Sequence, residues 1–229
     1  MDPNGGLIDA QAAVSAFVEL TKRNGGEILE NARVEEIHNG SLVLQNGEAV
    51  FFEKLVITAG VWTNELLGSK LPLQATRQEL VYFKPKDPTN FKKDTFPTFA
   101  YMDYEGGFYG FPIYGIEAVK VSNHLPGAPI DYNTVERIVS QEFIDACRNF
   151  LAESIPELAD AKVVKTKVCL YNMTPDGDFI VDRLNDSIVI GTGFSGHGFK
   201  FAPLIGKILA DLAIEGATKY DISRFLLHR

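Results

Sequence analysis

Apolar positions along the chain keep two periods, one of helices and one of strands. After Asp9 they recur as Val14, Phe17, Val18 and Leu20, which predicts a helix that buries this stripe, is capped by Asp9 and stops at Asn24-Gly25-Gly26. Short alternating runs follow. Ile28-Leu29, Arg33 to Ile37, Leu42 to Leu44 and Ala49 to Phe52 read as strands, the last two joined as a hairpin about Asn46-Gly47. Lys54 to Thr58 reads as a buried strand ending at Ala59-Gly60, with a short helix from Val61 to Leu67. The same order returns near the C-terminus. Ile188-Val189-Ile190 run into Gly191-Thr192-Gly193-Phe194-Ser195-Gly196-His197-Gly198-Phe199-Lys200, and Leu204, Ile205, Ile208, Leu209, Leu212 and Ala213 then recur at helical spacing. Two junctions of strand, glycine and helix predict one ligand crevice at the carboxyl ends of a sheet.

Between these junctions the pattern changes. From Leu71 to about Val164, prolines 72, 85, 88, 97 and 112 interrupt a stretch rich in Tyr and Phe. Gln78 to Lys84, Phe108 to Ile113 and Ala118 to Asn123 predict an antiparallel sheet with one aromatic face. Thr134 to Ala152 reads as an amphipathic helix with Val135, Ile138, Val139, Phe143, Ile144, Phe150 and Leu151 inward, and Lys162 to Tyr171 and Asp178 to Asp182 as strands. The expected class is α/β (α+β): a Rossmann-like lobe over residues 1–70 and 165–229, with an antiparallel or mixed-sheet lobe at 71–164 inserted into it. The start of the chain could fall in either lobe.

Composition narrows the classes. With 229 residues, 45% of them hydrophobic, the chain can bury a large core. Its net charge of −8 argues against nucleic acid or an anionic membrane surface as a partner. No apolar run approaches the roughly 20 residues of a membrane span, and Met1 to Gly6 does not read as a signal peptide. Two cysteines, Cys147 and Cys169, suit a reducing compartment. The expected location is the cytoplasm, or the peroxisome in a eukaryote, although no C-terminal Ser-Lys-Leu address is seen.

The C-terminal turn supplies the chemistry. Its glycines let backbone approach a ligand, and N–H groups at a helix start favour negative charge. Gly191, Gly193 and Gly196 spell G-x-G-x-x-G, but only Gly216 to Arg229 follow the helical pattern. No second parallel strand with an acidic ribose ligand is expected there. With Phe194, His197, Phe199 and Lys200, the turn better suits a flat, polar, partly aromatic ligand than a diphosphate.

Longer motifs carry a resemblance. Cys169 to Asp182 (CLYNMTPDGDFIVD), followed by Gly193 to Phe201 (GFSGHGFKF), resembles the C-terminal signature of monomeric sarcosine oxidase and its relatives. These include pipecolate and N-methyltryptophan oxidases, all FAD-dependent amine oxidases with the D-amino-acid-oxidase-like fold. Val56 to Asn64, Arg77-Gln78, Tyr109 to Pro112 and His124 resemble family segments in the same order. The resemblance implies FAD linked covalently to Cys169, with the Gly193, Phe194, Ser195, Gly196, His197, Gly198, Phe199 and Lys200 turn at the flavin ring. It implies further flavin contacts at Ala59, Gly60 and Trp62, and one at Val34 toward adenine. Tyr171 and Lys200 are implied to hold a substrate carboxylate, Tyr109 and His124 to lie beside the substrate, and Lys120 to activate O2. Otherwise a lone cysteine is most often core, and a strand lysine most often exposed. The implied partners are a small amino acid and O2, which gives H2O2.

The resemblance begins part-way along the family pattern, beyond its opening strand, dinucleotide-binding turn and helix. Half a flavin site is therefore expected, with attachment at Cys169 failing, the chain alone inactive, and an apolar sheet edge open to self-association. A non-catalytic binding or assembly module and one chain of a split flavoenzyme remain the alternatives.

Overall fold

A computed structural model describes residues 5–68 and 71–229; the lobe boundary expected at residue 70 and most of the Met1 to Gly6 stretch lie outside them. The helices are α1 (Ala10–Arg23), α2 (Thr63–Leu67), α3 (Gln141–Ser154) and α4 (Ala202–Ile214). The strands are β1 (Val34–His38), β2 (Ser41–Leu44), β3 (Ala49–Phe51), β4 (Leu55–Ile57), β5 (Gln74–Lys84), β6 (Phe99–Tyr101), β7 (Phe108–Phe111), β8 (Val119–Asn123), β9 (Lys162–Met173), β10 (Ile180–Arg183) and β11 (Ile188–Thr192). They form a mixed α/β chain of two compact units. Among the described residues, one unit is Ala75–Tyr171 with residues 5–7, and the other is Ile8–Gln74 with Asn172–Arg229.

In the first unit, one five-stranded sheet runs β6-β7-β8-β5-β9, antiparallel from β6 through β5. Strand alternation sends Val81, Phe83, Val119 and Val121 to one face, where they are fully buried with Cys147, Phe150 and Leu151 of α3. Phe150 stacks on Phe108 with centroids 4.7 Å apart and also meets Phe99, Tyr101 and Tyr104. The opposite face carries Tyr82, Tyr109, Phe111 and Lys120, which share registers across β5, β7 and β8.

The helix expected from Thr134 begins at Gln141 instead. Arg77 donates to the Glu136 and Ile138 carbonyls, and Glu79 accepts from the Ser140 N–H and hydroxyl. These bonds hold 136–140 in a non-helical path, so Ser140 becomes the N-cap and accepts from Phe143 N–H at 3.2 Å. Ile138, expected inward, is 70% exposed.

The second unit holds two sheets. β1-β2-β3 is an antiparallel meander, and its β2–β3 connection places Gly47 at φ +82°. In the other sheet β11 is central, antiparallel to β10 and parallel to β4. α4 covers this sheet with Ile205, Ile208, Leu209, Leu212 and Ala213, although Leu204, expected among them, is 42% exposed. Three further expectations change here. Ile28-Leu29 forms no strand and is exposed. Val56 is 40% exposed because β4 is a sheet edge among the described residues. α1 forms as expected, with Asp9 accepting from Ala12 N–H, yet it buries none of its residues, and Val14, Phe17 and Leu20 are exposed. Periodicity shows which face of a helix is apolar; whether another element covers it depends on the rest of the fold. No described helix is long and apolar enough to cross a membrane.

Candidate functional site

The first unit places five expected residues on or beside the sheet face opposite its core. Lys120 on β8 lies in register between Tyr82 of β5 and Phe111 of β7. Its Nζ is 4.7 Å from the Phe111 ring centre and 5.7 Å from that of Tyr109. Burial, aided by the like charge of Lys167 and opposed by Cys169, holds its ammonium below the usual lysine range. Lys120 is therefore not the exposed strand lysine that its surroundings in sequence suggest. On β9, alternation from buried Val168 puts Cys169 and Tyr171 on the face away from α3.

Tyr171 is hydrogen-bonded to Tyr109, and burial, then the Tyr109 charge, pushes its phenol well above the usual range. Tyr82 is raised by burial and by the charges of Cys169 and Tyr109. The His124 ring lies edge-on to Tyr109 and Tyr171, with centres 6.3 and 6.4 Å away, and its backbone N–H donates to Gly107. The two thiols differ: Cys169 is half-buried, whereas Cys147 is packed in the core and burial pushes it up to about 12.

Sequence reasoning did not assign Tyr82, Lys165 and Lys167 to this face. Lys165 Nζ lies 5.6 Å from the Tyr82 ring centre. The signal was the two-residue step along Lys165, Lys167, Cys169 and Tyr171. No carboxylate lies within ion-pair distance of Lys120, Lys165 or Lys167 among the described residues.

In the second unit, the two glycine junctions are tied by buried polar groups. Asn172 Nδ2 donates to the Gly60 carbonyl at 2.7 Å and to Thr192 Oγ1 at 2.9 Å. Thr63 Oγ1 lies 3.0 Å from Thr192 Oγ1 and donates to Gly60. Ser195 N–H returns to the Asn172 carbonyl. Asn172 therefore fixes both the β4–α2 junction and the β11–α4 turn, a role its place in the motif did not reveal. Ala59 and Gly60 are half-buried beside it, and Trp62 is 44% exposed. Val34 lies in the other sheet of this unit, paired with Leu44.

The C-terminal turn is rigid at its base and open at its tip. Gly193 has φ +65°, and buried Ser195 has φ +47° with its hydroxyl donating to the Gly193 carbonyl. Gly196 is exposed. His197 Nε2 donates to the Gly177 carbonyl, and its ring packs 5.0 Å from Phe179, near Phe194. Gly198 packs tightly against Phe194. A 3-10 turn, Phe199–Phe201, lies between the glycines and α4. Phe199 and Lys200 are exposed. Lys200 borders a crevice of about 510 Å³, lined by residues that include Phe179, Phe201, Ile208 and Phe225.

These residues fit the ring side of a flavin. On the first-unit face, tyrosine rings, a half-buried thiol and lysines with no ion-pair partner among the described residues suit a flat ring that gathers negative charge on reduction. A diphosphate is not provided for in the same way. The G-x-G-x-x-G pattern at Gly191 leads into α4 and a short tail, with no parallel strand after it. Among the described residues no group of His, Cys, Asp and Glu could hold a metal ion.

Residues 1–212 match the family model of FAD dependent oxidoreductases (DAO). The chain is 34% identical to monomeric sarcosine oxidase of a Bacillus species (strain B-0618), with all of the chain and 61% of that protein covered. It is also 34% identical to human peroxisomal sarcosine oxidase, over all of the chain and 62% of that protein. N-methyl-L-tryptophan oxidase of Salmonella heidelberg is 30% identical, with the same shares covered. The chain thus spans about three-fifths of the length of these curated relatives. Among solved structures, the L-proline dehydrogenase of P. horikoshii is similar in fold: TM-score 0.82 and 23% identity, covering 95% of this chain and 58% of that one.

Proposed function

The chain belongs to the FAD dependent oxidoreductase family, and from that premise we propose that it serves an oxidase of secondary or N-methyl amino acids. The observation that carries this reading is the sheet face holding Lys120, Cys169, Tyr109 and Tyr171, on which Lys120 has no ion-pair partner among the described residues. Bound FAD would supply the two-electron acceptor, taking electrons from the carbon beside the substrate nitrogen and passing them to O2, with H2O2 as product.

The chain's own residues then bind, orient and stabilise charge. In the first unit the Tyr171 phenol stays protonated throughout the neutral range, because burial and Tyr109 raise it, and so donates to a substrate carboxylate. Tyr109 holds that phenol in place, and the His124 ring stands beside both to accept a proton from the substrate amine. Lys120 offers a half-buried cation to charge that builds on reduced oxygen. Cys169 offers the thiol for covalent attachment of the ring. In the second unit Lys200 offers an exposed point charge to a carboxylate, and Gly60, Trp62 and the Gly193–Lys200 turn offer backbone and aromatic contacts to the ring.

The test is a visible absorption spectrum of the purified chain, supplied with FAD, before and after denaturation. Flavin bands that stay with the denatured wild-type chain and are lost from Cys169→Ser would show that the half-site expected from the sequence is enough for attachment. Bands equally retained by Cys169→Ser would refute the attachment, and no uptake of FAD would refute the cofactor reading for this chain. The bare apolar stripe of α1 and the open edge of β4 favour self-association as well. A monomer in sedimentation velocity across the micromolar range would count against it.

A further inference from the structure

Within the second unit, the loop from Thr174 to Phe179 is gripped from two sides. On one side is the glycine turn. His197 Nε2 donates to the Gly177 carbonyl at 3.1 Å, and the Thr174 N–H donates to Ser195 Oγ at 3.3 Å. On the other side is the tail that follows α4. Arg229 sets a two-pronged bond on the Asp176 carboxylate, at 2.7 and 2.8 Å, and also donates to the carbonyls of Phe179 and Asp178 at 3.1 and 3.3 Å. Arg224 Nε donates to the Asp178 carboxylate at 2.6 Å. Two groups take part in both grips. The Asp178 carbonyl accepts from Arg229 and, at 2.7 Å, from the hydroxyl of Thr174, the residue bound to Ser195. The Phe179 ring lies 5.0 Å from those of His197 and Phe194 in the turn, and stacks on Phe225 of the tail at 5.5 Å.

The two arginines differ in what they can hold. The Arg224 side chain is 75% exposed, so its single bond is largely screened. Arg229 is 19% exposed, and its parallel pair of charge-assisted bonds fixes direction as well as distance. At Gly177, φ +77°, nothing lies within 4 Å of a built Cβ, so hydrogen bonds rather than packing set the path of the loop there. We propose that the tail positions the glycine turn. Arg229, with Arg224 in a lesser part, holds the 174–179 loop where it receives His197 and Ser195, and so sets the geometry the turn offers to a bound ring. That this ring is a flavin rests on the reading above; the coupling of tail to turn does not.

The full chain and its Arg229→Met and Arg229→Lys variants would be compared first without flavin, by amide exchange and by the ring 1H–15N spectrum of His197. In wild type the bond to Gly177 should keep the His197 Nε2–H proton visible. Arg229→Met should lose that signal to solvent exchange and speed amide exchange at residues 195–200 about tenfold, the worth of a charge-assisted bond, with residues 34–51 of the same unit unchanged. Arg229→Lys keeps the charge without the fork and should recover only part of the effect. Arg224→Gln should give the same pattern more weakly, and it decides the matter where Arg229→Met does not fold. Exchange that rises equally over residues 34–51 would make the tail a general stabiliser and overturn the proposal. A tail freed at residues 226–229 with the turn and the His197 signal unchanged would overturn it too. FAD titration then separates the positioning role from the cofactor reading. Where the wild-type chain binds FAD, Arg229→Met should bind it several-fold more weakly, because part of the population leaves the competent turn; equal affinity would overturn the positioning role. A wild-type chain that takes up no FAD refutes the cofactor reading, and exchange and the His197 signal still decide the coupling.

Discussion

Gly193→Ala tests the base of the C-terminal turn directly. At φ +65°, a Cβ on residue 193 would lie 2.5 Å from Thr174 Cγ2 and 3.2 Å from Leu73 Cδ2. Thr174 is not free to turn away, because its hydroxyl donates to the Asp178 carbonyl at 2.7 Å and its N–H to Ser195 Oγ. Two costs therefore add. A left-handed conformation costs an alanine about 1–2 kcal/mol, and forcing a methyl into a packed site costs about 1–3 kcal/mol. Gly177→Ala separates them: its φ is +77°, and nothing lies within 4 Å of the added Cβ. The expected losses are about 3 kcal/mol for Gly193→Ala and about 1 kcal/mol for Gly177→Ala. In a chain of this size each kcal/mol moves the midpoint by about 2–4 °C. Trp62 is the single tryptophan and lies in the same unit, so its fluorescence on heating reports this unit. Equal losses in the two variants would show that the turn is not packed against Thr174, and the rigid-base account would fail.

Three further outcomes are expected. Phe150→Ala removes a fully buried ring stacked on Phe108, which should cost about 3–5 kcal/mol; near-UV tyrosine dichroism should lose its transition at lower urea, since all the tyrosines but Tyr220 are in that unit. Tyr171 has a folded pKa raised above its unfolded value of about 10, so the stability it contributes is present below that pH and is lost as pH rises through the folded value; midpoints of Tyr171→Phe should fall less steeply than wild type between neutral and strongly alkaline pH. Asp176 is held below the usual carboxylate range, first by its hydrogen bonds from Arg229, so the stability it contributes is present above about pH 4 and is lost as pH falls through the lower folded value; amide exchange at residues 226–229 should rise over that acid window in wild type, and already at neutral pH in Arg229→Met.

Local signals carried much of the fold. The Asn46-Gly47 hairpin and the β11–turn–α4 junction depend on residues adjacent in sequence, and both form where expected. The misplaced start of α3 depends on Glu79, 61 residues before Ser140, and no periodicity near Thr134 contains that information. The bare stripe of α1 has the same cause: a pattern specifies an apolar face but not its cover. The site was legible in a different way. The motifs around Cys169 and Gly193 suggested roles by resemblance, but the setting of Lys120 emerges only from the register Tyr82, Lys120, Phe111, which joins three strands. Tyr82 and Lys165 were missed because each looks like an ordinary strand residue until its cross-strand neighbour is known.

Charge placement follows the same rule in each unit. A chain with 30 acidic residues against 22 basic ones could readily have neutralised its site lysines, yet among the described residues no carboxylate pairs with Lys120, Lys165, Lys167 or Lys200. Three acids of the Asp176–Asp182 segment are already committed. Asp176 binds Arg229, Asp178 binds Arg224, and Asp182 accepts from the Leu227 N–H. These bonds fasten the C-terminal tail and at the same time neutralise negative charge beside the turn. In the first unit Glu79 is similarly occupied by Arg77 and Ser140 on the core side of the sheet. Each unit, taken by itself, is left with cations that no carboxylate pairs among the described residues, an environment that favours a ligand gathering negative charge.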